Sequence, residues 1–220
     1  MTKIYLDIET IPTMREDIKD ELRANLKPPG QYKKAESIAE WFEREGAEAL
    51  EQEYRKTALD GAYGQVIVIG VAIEDAEPIT WWGEEIDTLT SLNDYLDNIP
   101  HPYECTVVGH NVLSFDLRFL LQRYIVNGIK PHGIIRRCAQ AKPWDVEKVY
   151  DTMTQWAGVG NRVSLDKLCK ALSIPSPKGA IDGSKVLDYV RQNRVQEVAD
   201  YCARDVEATR DAYKRMTFQS

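Results

Sequence analysis

No apolar run in this 220-residue chain approaches the ~20 residues of a helical membrane span. A membrane protein is therefore not expected, and the short apolar stretch at the N-terminus is broken by acids too soon for a signal peptide. The four cysteines (Cys105, Cys138, Cys169, Cys202) never take C-x-x-C spacing. That removes a zinc ribbon or redox pair and leaves reduced thiols in a cytoplasmic protein. His101, His110 and His132 are too few and too scattered for a histidine zinc site. No internal repeat is present, because the sequences around the cysteines are unrelated. Residues 61–117 contain no lysine or arginine against ten acids.

Basic charge is concentrated later. Residues 118–148 carry net +5 and residues 160–195 net +4, within a chain of net −7. A polyanion would be gripped by the second half, if anywhere. The 43% hydrophobic and 29% charged composition is that of a globular protein, and the length suits a single domain over 1–220 with an elaborate insertion.

The organising stretch is Ile4-Tyr5-Leu6-Asp7-Ile8-Glu9-Thr10. In a strand, residues two apart share a face, so Asp7 and Glu9 project together while Leu6 and Ile8 turn away. Two like charges on a buried strand repel and are costly to desolvate, and a divalent cation is the common remedy. After Pro12, two helical segments, Met14–Leu26 and Lys34–Leu59, separated by the turn Lys27-Pro28-Pro29-Gly30, read as two helices or as one helix and a longer helical hairpin, inserted over about 14–60. Strands are expected at Val66–Ile73, Ile79–Trp82 and Thr106–Gly109, with a possible fifth starting at Ile134-Ile135. Helices are expected at Asp87–Ile99, Asn111–Asn127, Lys148–Trp156, Ser164–Leu172, Ser184–Gln192 and Val195–Met216, with Gly128 closing the second and Ser164 capping the fourth. This order gives an α/β domain with a mixed sheet and flanking helices.

Two further places offer acids. Gly109-His110-Asn111-Val112-Leu113-Ser114-Phe115-Asp116 runs from a strand into a helix and sets Asp116 near the sheet edge, where α/β proteins place ligands. Tyr201 and Asp205 stand at i and i+4 on the last helix and share a face. Asp60, Asp151 and Asp182 are not expected to be primary ligands, since Asp182 sits where a helix cap is wanted and the other two have no partner acid at a suitable spacing.

Asp7-Ile8-Glu9, Asn111…Phe115-Asp116 and Tyr201…Asp205 together resemble the three motifs of the DEDD 3′–5′ exonucleases on the ribonuclease H-like fold. The tyrosine in the third motif is similar to the tyrosine subclass, which includes the proofreading domain of family B DNA polymerases. Over essentially its whole length the chain resembles the stand-alone bacterial and phage exonucleases described as polymerase-B-like. Lys27-Pro28-Pro29, Thr57-Ala58-Leu59-Asp60…Tyr63-Gly64 and residues 178–186 contribute to that likeness.

The resemblance implies a metal-dependent exonuclease that releases nucleoside 5′-monophosphates, with proofreading or DNA repair as its setting. It implies two divalent cations, Mg²⁺ or Mn²⁺, on Asp7, Glu9, Asp116 and Asp205. Asp7 would touch both ions, Glu9 and Asp205 would complete the water-activating site, and Asp116 would bind the second ion. Tyr201 would orient the attacking water. Asn111, Phe115, Thr10 and Lys178 are the expected contacts to the strand. Single-stranded 3′ ends are the expected substrate, DNA ahead of RNA. An exoribonuclease is the alternative enzyme, and a silent nucleic-acid-binding module the alternative from another class.

Overall fold

The computed structural model describes residues 1–177, 179 and 181–219. The chain divides into two compact units, one of Met1–Thr10 with Val66–Ser220, the other of Ile11–Gln65.

The first unit is built on a five-stranded sheet ordered β3-β2-β1-β4-β5. Its strands are β1 (Thr2–Ile11), β2 (Gln65–Ile73), β3 (Ile79–Trp82), β4 (Cys105–Gly109) and β5 (Val149–Asp151). The mixed α/β sheet expected from the element order is present. β2 and β3 pair antiparallel, joined by the short turn that the sequence signals. β1, β4 and β5 run parallel, with Tyr5 opposite Val108 and Val108 opposite Tyr150. β4 and β5 therefore end at Gly109 and Asp151, while β1 continues past them through Asp7 and Glu9. Carboxyl ends of parallel strands are where open α/β sheets bind ligands.

The alternation of β1 separates two layers. Ile4, Leu6 and Ile8 join the larger core with Leu89, Leu92, Leu117, Leu120 and Tyr124. Those partners come from α4 (Glu85–Asp97) and α5 (Asp116–Val126). Tyr5 points the other way and meets Tyr213 of α10 (Val195–Met216) edge-on at 5.9 Å. Asp7 and Glu9 have the same parity as Tyr5, so the acids belong to the layer that α10 covers. Close approach of α10 to the sheet depends on Gly70 in β2. A Cβ built there would stand 2.8 Å from Cys202 Sγ and 3.1 Å from Val206 Cγ2.

Three expectations are corrected. Ile134-Ile135 lies in a helix, α6 (Gly133–Cys138), whose Ile134 amide donates to the side chain of His132. A two-residue apolar run has no period to distinguish strand from helix, and the cap decides it. The fifth strand is Val149–Asp151, inside a segment expected to be helical; helix α7 (Thr152–Ala157) starts only after Asp151 caps it by accepting from Thr154 N. The helix expected from Asn111 begins at Asp116, because Asn111 holds a left-handed backbone, φ 67°, which a right-handed helix cannot include. Two later helices, α8 (Leu165–Leu172) and α9 (Val186–Arg191), complete this unit, and Ser164 caps α8 by accepting from Lys167 N.

The second unit holds α1 (Glu16–Asn25), α2 (Ala35–Arg44) and α3 (Gly46–Lys56). Of the two readings of Lys34–Leu59, one helix or a helical hairpin, the structure has two helices, α2 and α3, parted at Glu45, whose φ of −122° lies outside helical geometry. Trp41 is packed edge-on against Phe42 at 5.0 Å. Among the described residues of the whole chain, no helix is long and apolar enough to cross a membrane.

Candidate active site

Three elements converge beyond the ends of β4 and β5. β1 delivers Asp7 and Glu9 on the α10 side. Asp116, the first residue of α5, reaches β1 between them: its Oδ1 accepts from Ile8 N at 3.1 Å. α10 delivers Asp205 and, one turn earlier, Tyr201. Carboxylate oxygens of Asp7, Glu9 and Asp205 lie within 4.8 Å of one another. The Tyr201 hydroxyl donates to the Asp205 carboxylate. Spacings of two residues on a strand and four on a helix are thus converted into one cluster.

The cluster is buried and one-signed. Glu9, Asp116 and Asp205 expose 7%, 3% and 8% of their surface, far less than acids without partners normally tolerate. Burial first, then the neighbouring charges of Asp205 and Asp116, hold the Asp7 and Glu9 carboxyls well above the usual carboxylate range. Burial pushes Asp116 up to about 7, although its hydrogen bonds to its own backbone and to Ile8 work against that rise. Burial likewise raises Asp205 to about 6, opposed by the Tyr201 hydroxyl and by Arg204. Tyr201 is held far above an ordinary phenol by burial and by Asp205, so it keeps its proton at neutral pH.

Asp205 Oδ1 is buried with no hydrogen-bond partner. Buried polar atoms in folded proteins are nearly always satisfied, so a bare one asks what it is for. The available donors are all carboxylate oxygens, with neither thiolate nor imidazole among the three clustered side chains. That donor set suits hard divalent cations such as Mg²⁺ or Mn²⁺, which also neutralise the mutual repulsion that raises the acids. The residues present fit a cation site.

The other expected residues are placed less directly. Asn111 is partly exposed in the loop before α5, and its side chain makes no hydrogen bond to protein among the described residues. Phe115 packs on the larger core and lies 5.4 Å from Phe119, which gives it a structural role. Thr10 is buried and, by alternation along β1, has the parity of Ile8 rather than of Glu9. Lys178 falls outside the described residues. His110 is engaged with Thr152 Oγ1 at 3.0 Å and Val163 O at 2.8 Å.

Two residues around the site escaped sequence reasoning. The buried Cys202 thiol donates to Asp7 Oδ2 at 3.3 Å. Its position three before Asp205 on one helix was the available signal. The carboxylate of Asp151, fully buried, accepts from the amides of Asn111 at 3.1 Å and Leu113 at 3.0 Å. No sequence spacing announces that contact, because it joins residues about forty apart.

A family model described as "Predicted 3'-5' exonuclease related to the exonuclease domain of PolB" matches residues 62–220. The matched span contains Asn111, Asp116, Tyr201 and Asp205, whereas Asp7 and Glu9 precede it. Among solved structures, the family B DNA polymerase from the hyperthermophilic archaeon Pyrobaculum calidifontis is similar, with a TM-score of 0.62 at 15% identity. The likeness covers 99% of this chain and 24% of the polymerase, so this chain spans about a quarter of that protein's length. At that identity the likeness speaks for the fold. No curated protein matches.

Proposed function

Because the chain belongs to the family of predicted 3′–5′ exonucleases related to the exonuclease domain of PolB, we propose that it is a metal-dependent 3′–5′ exonuclease of the tyrosine subclass, acting on single-stranded DNA. The observation that carries this reading is the bare Asp205 Oδ1 inside a group of four carboxylates, of which Glu9, Asp116 and Asp205 are buried. Asp7, Glu9 and Asp205 would hold one divalent cation, and Asp7 with Asp116 a second. Such a pair supplies an acidified water and neutralises charge on the phosphate and the leaving oxygen.

The protein's own residues do the placing. Asp116 is locked to the backbone of Ile8, which fixes α5 against β1. Cys202 orients the Asp7 carboxylate. The protonated Tyr201 hydroxyl serves as a hydrogen-bond donor beside Asp205 and positions the attacking water rather than deprotonating it. Attack forms a bond from water oxygen to phosphorus and breaks the bond from phosphorus to the 3′ oxygen. The products are a nucleoside 5′-monophosphate and a strand one residue shorter, ending in a 3′ hydroxyl that has taken up the proton. Asn111 faces the strand with an unengaged side-chain amide, and Thr10 and Lys178 contact the terminal nucleotide and a phosphate. A single strand threads a recessed acid pocket more readily than a duplex does.

The test is digestion of 5′-labelled single-stranded DNA, matched RNA and duplex DNA in EDTA, Mg²⁺ and Mn²⁺. A ladder that shortens from the 3′ end of the DNA, needs the cation, and disappears in Asp7→Ala and Asp205→Ala is expected. Full activity in EDTA or in both variants would overturn the reading. Faster digestion of RNA would reassign the substrate, and binding without digestion in Mn²⁺ would point to a silent binding module.

A further inference from the structure

The loop between β4 and α5, residues 110–115, leads into Asp116 and carries Asn111. It is not a regular element, yet it is restrained from several sides. Asn111 adopts φ 67°, a left-handed backbone that asparagine tolerates better than most non-glycine residues. Val112 folds back on β4, where a Cβ on Gly109 would stand 2.4 Å from Val112 Cβ. The Ser114 and Phe115 amides donate to Asn111 O at 3.2 and 3.0 Å, which closes the turn.

The remaining restraint comes from β5. Asp151 Oδ1 accepts from Asn111 N and from Thr154 N, and Oδ2 accepts from Leu113 N. The next residue, Thr152, adds its hydroxyl to Gly109 O at 3.2 Å and to the ring of His110 at 3.0 Å. One dipeptide at the end of β5 therefore grips Gly109, His110, Asn111 and Leu113, while Asp116 at the far end of the loop is fixed to β1. A cap of α7 needs only the bond to Thr154; the two bonds to loop amides go beyond capping. A buried carboxylate taking three backbone amides is a strong tether, since each bond is charge-assisted.

We propose that Asp151 is a positioning residue for the nucleic-acid strand: its carboxylate holds the 110–115 loop in the form that presents Asn111 to substrate and Asp116 to the acid cluster. This rests on the exonuclease reading above. Asp151 touches neither cation nor strand; it acts through Asn111 and Leu113. The chemistry also separates tether from cap. In Asp151→Asn the retained oxygen still accepts from Asn111 N and Thr154 N, while the new amide NH₂ faces the Leu113 N–H donor to donor. Asparagine caps helices as well as aspartate does, so α7 keeps its start. Asp151→Ser also keeps a capping oxygen but is too short to serve both loop amides.

The experiment measures KM and kcat of both variants on a single-stranded DNA oligonucleotide in Mn²⁺, with the melting temperature alongside. The expected result is a KM about tenfold higher with a smaller fall in kcat, in the range that misplaced positioning groups cost. A merely structural role lowers the folded fraction and hence kcat, with KM unmoved. Wild-type KM in both variants overturns the proposal, whatever happens to their stability. Amide exchange of the unmodified protein gives a reading that needs no folded variant. The Asn111 and Leu113 amides are expected to be protected, and exchange at the rate of an unprotected amide overturns the tether. An inactive wild type with both amides protected would sink the exonuclease reading while leaving the tether in place.

Discussion

Glu85 and Asp205 are both buried carboxylates in the same unit, exposing 7% and 8% of their surface, and the fold treats them in opposite ways. Glu85 is saturated. Its Oε1 accepts from Val66 N and Arg123 Nε, and its Oε2 from Arg123 Nη2 and Asn127 Nδ2, all at 2.8 Å. The opposite charge of Arg123 lies beside it, so the pair knits β2, α4 and α5 together and has no need of a ligand. Asp205 has the Tyr201 hydroxyl, three like-charged neighbours and one bare oxygen. Asp151 stands with Glu85, since its acceptors are filled by backbone amides. Burial alone therefore does not mark a functional acid. The marks are a missing donor and neighbours of the same sign, because a chain that simply needed a buried carboxylate would have satisfied it.

The contrast can be broken first by removing each acid. Asp205→Ala is expected to lower 3′-end digestion by about three orders of magnitude or more, the scale of losing one member of a catalytic unit. Its melting temperature in EDTA should not fall, since the substitution relieves repulsion. A large loss of metal-free stability would put Asp205 in the class of Glu85. The converse change, Glu85→Ala, leaves Arg123 buried without its partner and is expected to cost about 3–5 kcal/mol in denaturant unfolding. Activity per folded molecule should survive that change, and its disappearance in fully folded protein would erase the distinction.

The pH dependence sharpens the same contrast. Asp116 and Asp205 are raised to about 7 and about 6 by burial. For acids raised on folding, the unfolded chain gives up its protons first. The metal-free protein should therefore lose stability as pH climbs from about 4, near the ordinary carboxylate value, through about 7, and Asp7 and Glu9, which burial also raises, add to the same fall. Saturating Mn²⁺ should flatten or invert this slope, because the cation competes with those protons. Thermal melts from pH 4.5 to 8 with EDTA or Mn²⁺ measure it; parallel curves would mean that the raised acids are not where the ion binds. The smallest effect is expected at Cys202. Cys202→Ala removes the donor to Asp7 Oδ2 and should reduce kcat about tenfold, the lower end for groups that orient a ligand. Cys202→Ser, which keeps a donor, should recover most of it. Equal rates in the two variants would assign Cys202 to packing alone.

The parts of this arrangement that could be read from the sequence are those set by short-range periodicity. Asp7 and Glu9 share a face because strands alternate, and Tyr201 and Asp205 because helices return every four residues. Asp116 enters the site because a strand ends just before its helix. The strands at Ile79–Trp82 and around Val66 and the helix Val195–Met216 were likewise evident from local pattern. What escaped was settled by partners distant in the chain. Asn111 leaves the helix because Asp151, forty positions on, claims its amide. Val149–Asp151 is a strand because β4 pairs with it, against a helical local pattern. The thiol of Cys202 faces Asp7 because Gly70 lets α10 come close to the sheet. Lys178 lies outside the described residues.

The central claim is that the like-charged acids of this pocket, with Asp205 Oδ1 left bare, are completed by divalent cations. Calorimetric titration of Mn²⁺ into the metal-free protein and into Asp205→Ala and Glu85→Ala tests it most directly. The account predicts saturable binding in the wild type and in folded Glu85→Ala, with the heat of the Asp205 site lost in Asp205→Ala. Identical binding in Asp205→Ala and wild type, or no binding to the wild type at all, would contradict it.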